Sequence, residues 1–232
     1  MPIDPIDTTQ AAARNGLRNA CTILQSGRSS CSSFLQVFDQ LRDGRRGTPT
    51  DGQQDLLRAM LLFGSSCLDA VVKQLIQDSL GNVIENNPGA HQQFETYIDR
   101  KLKKSKGSSE LSDELVVINF KYLSSILASR EPRKLIIDDL ISSLVGDSLQ
   151  SRDQLLKTAA YFAITRDEIM ADVQLVGNIF SVRNEITHEM DIDLTQPNRN
   201  RRPRRREDMT RYTNELLQIG CRFIEAVSGK IP

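Results

Sequence analysis

The sequence predicts an all-α chain, and three observations carry that expectation. Strand signals are sparse: there is no Trp, aromatics make up 5% of the 232 residues, and alternating apolar–polar runs are rare. Three segments, Thr50-x-x-Gln53, Ser151-x-x-Gln154 and Thr165-x-x-Glu168, have capping-box form and precede apolar patterns. Apolar residues also recur at spacings of three and four over long stretches.

In chain order, these signals place helices near 7–26, 31–43, 51–80, 91–104, 112–129, 134–147, 152–163, 166–190 and 207–228. The first two begin weakly, at Asp7-x-x-Gln10 and after a Ser-rich stretch, Ser26 to Ser33, that reads either as a turn or as a small-residue helix contact. The 51–80 segment is apolar nearly all round, from Leu56, Leu57 and Met60 to Leu75 and Ile76, which marks a helix at the centre of a bundle. The last helix has a narrower stripe, Met209, Tyr212, Leu216, Ile219, Phe223 and Val227, and so one buried face. Loops are expected at Asp43 to Pro49, Gly81 to Gly89, Ser105 to Ser109 and Thr195 to Pro203, the last being Arg-rich and flexible. Residues 1–50 are expected to form a helical extension packed on a main helical domain at 51–228, with an Arg-rich loop at 195–206.

Thirty Lys and Arg balance thirty Asp and Glu. The balance hides an asymmetry, because six Arg lie in 199–206 and five basic residues lie in 100–106, neither segment holding an acid. Setting those eleven aside leaves 19 basic against 30 acidic residues, an acidic body carrying two concentrated positive segments. Such segments suit a polyanion. The longest uninterrupted apolar runs, such as Met60 to Phe63, are short for a bilayer span, and residues 1–20 lack a signal-peptide core; the expectation is a cytoplasmic protein without a membrane anchor. Cys21, Cys31, Cys67 and Cys221 show no CxxC spacing and read as reduced, packed thiols. With two His, a His/Cys zinc site is not expected, no phosphate-loop motif is present, and no cofactor or metal is implied.

The chemistry concentrates at the end of the 166–190 helix. Ile169, Val173, Val176 and Phe180 share one face, and Arg183 falls in the same stripe at 100° per residue. A guanidinium there calls for an anion, whether a carboxylate, a phosphate or a partner subunit. Asn184 and His188 stand four apart on an adjacent face, so a guanidinium, a carboxamide and an imidazole converge near one helix end.

Arg183-Asn184-Glu185-Ile186-Thr187-His188 resembles the Arg-Asn-x-x-x-His signature of the HEPN superfamily of helical RNA-binding and RNA-cleaving domains. The setting is similar too: a long hydrophobic helix well before the motif, a lead-in from Ser151 to Phe180, and one final amphipathic helix, together covering residues 51 to 228. The resemblance implies a HEPN-like helical bundle with additional N-terminal helices. It also implies a metal-independent endoribonuclease with Arg183, Asn184 and His188 as catalytic residues. The family places the motif at a two-fold dimer interface and is common among toxins and effectors of prokaryotic defence and toxin–antitoxin systems, so a homodimer, RNA and an antitoxin or defence-system protein are the implied partners. HEPN toxins paired with a nucleotidyltransferase antitoxin often carry Tyr two residues after the His; Met190 stands there in this chain, which puts control through that Tyr in doubt.

Supporting roles are open at three places. Asp69 interrupts the apolar 51–80 helix and either faces the motif as a partner of Arg183 or is a satisfied core acid. Glu189, Asp191 and Asp193, which follow the His, either orient it or raise its pKa, or are the solvated surface of an acidic helix end. Arg199, Arg201, Arg202, Arg204, Arg205 and Arg206 begin eleven residues after His188 and either draw RNA backbone toward the motif or form a solvated loop. The basic residues from Arg100 to Lys106 either end a helix, where cations meet its dipole favourably, or bind RNA. His91 reads as surface. The competing functional expectation is a non-catalytic helical module that binds RNA or a protein partner.

Overall fold

One 36-residue helix, α3 (Asp51–Asn86), organises the chain. Its start is closed reciprocally: Thr50 Oγ1 accepts from the Gln53 N–H, and Gln53 Oε1 accepts from the Thr50 N–H. Most of its apolar residues are buried, Phe63 being the large exception, and α2 (Arg18–Arg42), α4 (Pro88–Leu102), α6 (Pro132–Gly146), α9 (Val173–Glu189) and α10 (Arg206–Ser228) pack around it. At 1.5 Å per residue it spans about 54 Å. A computed structural model describes residues 1–104 and 117–232 of the chain. Among these, ten helices and one two-residue antiparallel pair, β1 (Lys103–Lys104) with β2 (Val117–Ile118), are present, so the fold is all-α.

Two expected breaks are absent. Residues 81–89 do not form a loop: α3 continues past Gly81 because Leu80, Val83 and Ile84 are buried, and that burial outweighs the roughly 1 kcal/mol that glycine costs a helix. The turn that follows is a single residue, Asn87, whose Oδ1 accepts from the N–H groups of Gly89 and Ala90 and caps α4 ahead of Pro88 at its first position. The Ser26–Ser33 stretch lies within one continuous α2, not between two helices. Its small residues serve close packing. A Cβ added at Gly27 would lie 2.2 Å from Cys67 Sγ, and the Cys31 thiol donates to the Met60 carbonyl of α3 at 3.5 Å. A short α1 (Thr9–Ala12) precedes α2.

A third departure lies in the expected 166–190 helix, which divides into α8 (Arg166–Ile169) and α9. Ile169 and Met170 are both buried, and Met170 and Asp172 are extended. Asp172 Oδ1 then accepts from the Leu175 N–H at 2.9 Å and starts α9 afresh. The remaining helices, α5 (Phe120–Ala128) and α7 (Arg152–Tyr161), lie near their expected places; the expected start at 112 and the loop at 105–109 fall outside the described residues. Arg100 and Lys101 are tied into the bundle, Arg100 to the Tyr161 hydroxyl and Lys101 to Asp139.

The N-terminal residues join the core. Ile3 is buried, and Asn214 of α10 donates to the Pro2 carbonyl and accepts from the Asp4 N–H. All four cysteines are buried and free. By length and composition α3 is apolar enough to cross a membrane, which its short uninterrupted runs did not foreshadow; 56% of its most apolar stretch is buried inside the fold.

Candidate functional site

The site is built on the last two turns of α9. Val176, Ile179, Phe180 and Ile186 bury the helix against its neighbours and set which face the motif presents. Arg183 lies at the margin of that apolar stripe and is half-buried. Its Nη1 donates to Asn184 Oδ1 at 3.0 Å, and Asn184 Nδ2 in turn reaches the Gln150 carbonyl at 3.5 Å. Arg183 Nε is buried with no hydrogen-bond partner, and no carboxylate pairs with Arg183 among the described residues. His188 stands exposed on the final turn, with no side-chain hydrogen bond among the described residues. The structure thus joins Arg183 to Asn184, and His188 remains open to solvent.

Asp69 resolves as the satisfied acid. Its Oδ1 accepts from the Leu149 N–H at 2.8 Å and its Oδ2 pairs with Lys73 at 2.9 Å, and no ion pair joins it to Arg183 among the described residues. Leu149 and Gln150 belong to the same turn, so Asp69 and Asn184 hold it from two sides. Glu189 pairs with Arg202 at 3.1 Å rather than with the imidazole.

The Arg-rich segment is the largest departure from expectation. Four of its six Arg are engaged by carboxylates elsewhere in the chain. Arg201 pairs with Asp55 at 2.6 Å; Arg202 with Glu189 and the Ile192 carbonyl; Arg204 with Asp191 and with Glu185 at 2.7 Å; and Arg206 with both oxygens of Asp39 at 2.6 Å. Arg199 and Arg205 are exposed and carry no ion pair among the described residues. The segment folds back as a hairpin through the Ile192–Arg201 bridge and the Arg202 N–H to Asp191 carbonyl bond.

At its root sits Asp191, fully buried. One carboxylate oxygen accepts from Arg58 Nε of α3 at 2.6 Å, and both accept from Arg204. Arg58 is 3% exposed and extends its other nitrogens to Asp55 and the Arg202 carbonyl. Met190 and Asp191 both adopt positive φ, 52° and 61°, and the Asp191 N–H closes α9 on the Glu185 carbonyl. Burial works against the Arg204 charge, but its bonds to Asp191 and Glu185 outweigh burial and hold its pKa up. The bond from Arg201 pulls the Asp55 carboxyl below its ordinary value.

Arg58 and Asp55 were not foreseen as site residues, Glu185 was read only as an interior position of the motif, and Asp191 was read as orienting His188 or as solvated surface, not as a buried partner of two guanidiniums. The signal was present in part: Asp55-x-x-Arg58 is an opposite-charge pair that opens the apolar stretch of the 51–80 segment, and four acids between 185 and 193 precede six Arg. Among the described residues no group of three or more His, Cys, Asp or Glu is arranged to hold a metal ion. The fold and the motif define an all-α chain with a guanidinium, a carboxamide and an imidazole at one helix end. Comparison with known proteins finds no matching family model, no matching curated protein and no matching solved structure.

Proposed function

We propose that this chain is a metal-independent endoribonuclease of HEPN type, a toxin or effector of a prokaryotic defence or toxin–antitoxin system that works in the cytoplasm. The observation that carries the reading is the guanidinium of Arg183, with a buried Nε–H unpartnered among the described residues, five residues from an exposed imidazole on the same helix end. An orphaned buried donor costs about 1–3 kcal/mol. The Arg183 Nη2, which makes no hydrogen bond among the described residues and is not buried, is the donor that an arriving phosphate oxygen would meet.

RNA brings its own nucleophile, the 2′-hydroxyl. Cleavage needs a base for that hydroxyl, an acid for the 5′-oxygen and positive charge at the phosphorane oxygens. An imidazole serves as base or acid near neutral pH, and Arg pairs with phosphate oxygens in bidentate fashion. Asn184 holds the Arg183 guanidinium from the side through its Oδ1. One chain offers a single His in the motif, so a C2 homodimer that brings two motifs together supplies both an acid and a base. Of the six Arg in the 199–206 run, Arg199 and Arg205 have side chains left over for RNA backbone, because the other four are engaged by carboxylates of the chain.

The test is cleavage of total RNA by the purified protein in EDTA, with analysis of the ends. The expected products carry a 2′,3′-cyclic phosphate and a 5′-hydroxyl, and His188→Ala and Arg183→Ala each abolish most activity while the helical circular dichroism is retained. A requirement for Mg²⁺, or full activity in His188→Ala, sinks the reading. The competing reading, a non-catalytic module for a protein partner, draws on Val37, Leu41 and Phe63, large apolar side chains left exposed on α2 and α3. It predicts RNA left intact under every condition of the same assay.

A further inference from the structure

His188 carries no side-chain hydrogen bond among the described residues, so the backbone beneath it governs where its ring is presented. That backbone is held unusually firmly. Directly after the motif helix come two non-glycine residues in the left-handed region, Met190 and Asp191, a conformation that L-residues avoid. Strain of this kind persists only where the surroundings over-determine it, and it gathers at functional sites. Here the surroundings are two guanidiniums from different elements, Arg58 from the central helix and Arg204 from the hairpin, both on the buried Asp191 carboxylate. The Asp191 backbone is engaged as well, its N–H on Glu185 and its carbonyl under the Arg202 N–H. Glu185, inside the motif, accepts from the same Arg204 Nη2 that donates to Asp191.

We propose that Asp191, clamped between Arg58 and Arg204, is a positioning residue for His188. It fixes the last turn of α9 against α3 so that the imidazole is presented at a constant place relative to Arg183. This inference rests on the ribonuclease reading for its catalytic consequence, but the positioning itself is a property of the folded chain. A buried ion pair is often replaceable without loss of stability, so its placement three residues after the motif His points to geometry as its role. Small displacements of a catalytic group are costly, on the order of 100-fold for a shift of 1 Å.

The experiment reads the imidazole directly. The chain has two His, so its Cε1–H resonances reduce to His91 and His188, assigned with His188→Ala. Asp191→Asn keeps the shape and removes the charge. In the folded Asp191→Asn protein the His188 resonance is expected to shift and broaden while His91 is unchanged. In the RNA assay kcat is expected to fall at least 10-fold with KM within about twofold, as for a displaced catalytic group whose substrate-binding neighbours are intact. Glu185→Gln, which loosens only the outer arm of the clamp, is expected to shift the same resonance by less, and it decides the matter should Asp191→Asn fail to fold. An unmoved His188 resonance in a folded variant overturns the proposal, as does a moved resonance with unchanged kcat. If the wild-type chain cleaves no RNA, the ribonuclease reading falls by itself, and the resonances still decide whether Asp191 positions His188.

Discussion

Replacing Arg204 tests whether the Arg-rich segment is part of the folded body. Arg204 is 12% exposed and donates to Asp191, which is fully buried, and to Glu185. Removing one partner of a buried pair costs about 3–5 kcal/mol when the other charge is left alone. Asp191 keeps Arg58 at 2.6 Å, so the uncompensated part is smaller, and Arg204→Gln should cost about 2–3 kcal/mol. Arg206 and Asp39 are far more exposed, and Arg206→Gln should cost about 1 kcal/mol or less. Arg199→Gln and Arg205→Gln, on exposed side chains, should stay within about 0.5 kcal/mol of wild type. Urea unfolding with a common slope would rank the four variants. For a chain of this size, the Arg204 change corresponds to a fall in Tm of about 4–12 °C. A cost below about 0.5 kcal/mol for Arg204→Gln would refute the account of a buried clamp and return the segment to a loose loop.

Salt dependence separates the two kinds of arginine: with single-stranded RNA, Arg199→Gln/Arg205→Gln should flatten the slope of log K against log salt by about 1.4, at about 0.7 for each phosphate no longer neutralised, and an unchanged slope would show that neither touches RNA. Gly27→Ala should destabilise by about 1–3 kcal/mol through overlap with Cys67, and pairing it with Cys67→Gly should recover part of that loss in a double-mutant cycle; additive costs would mean that α2 and α3 do not meet there. Acid should weaken the α4–α6 contact. Burial pushes the Asp139 carboxyl up, but bonds from Tyr97, Lys101 and Tyr122 outweigh burial and hold it below its ordinary value. A depressed carboxyl contributes stability that is complete above its unfolded pKa, about 3.9, and is lost as pH falls through the folded value. Wild type should therefore lose more stability than Asp139→Asn between about pH 5 and pH 2 in urea titrations, and parallel losses would count against these bonds.

What could be read from the sequence was local. The capping residues Thr50 and Ser151 act as their spacing predicts, because a cap is satisfied within four residues. Asp69 and the Arg run were ambiguous for the opposite reason. Whether Asp69 met Arg183 or a backbone N–H depended on Leu149, eighty residues away, and the partners of Arg201 and Arg206 lie on α3 and α2. Gly81 and the serines of α2 looked like helix endings on propensity alone; burial of Leu80 and Val83, and the close approach of Gly27 to Cys67, overrode that preference. The motif residues themselves were legible, Arg183 and Asn184 being joined as neighbours on α9, but the Asp191 clamp beneath them was not, since it is made by chain segments far apart in sequence.

The four buried thiols give the fold a built-in record of its own breathing. Each lies at a different seam or a different height of one: Cys31 against Met60 and Cys67 against Ile23 between α2 and α3, Cys21 against Thr8, and Cys221 beside Asp7 where the N-terminal residues meet α10. Burial pushes all four up, Cys31 and Cys221 to about 12 and Cys67 to about 11, so the thiolate that an alkylating reagent attacks is scarce while the seam stays shut. Labelling in native buffer therefore proceeds through transient opening, and the rate at each sulfur measures the free energy of opening at that place. Cys21 and Cys221 report on release of the N-terminal residues, whereas Cys31 and Cys67 react when the central helix pair parts, an event that exposes the middle of the core.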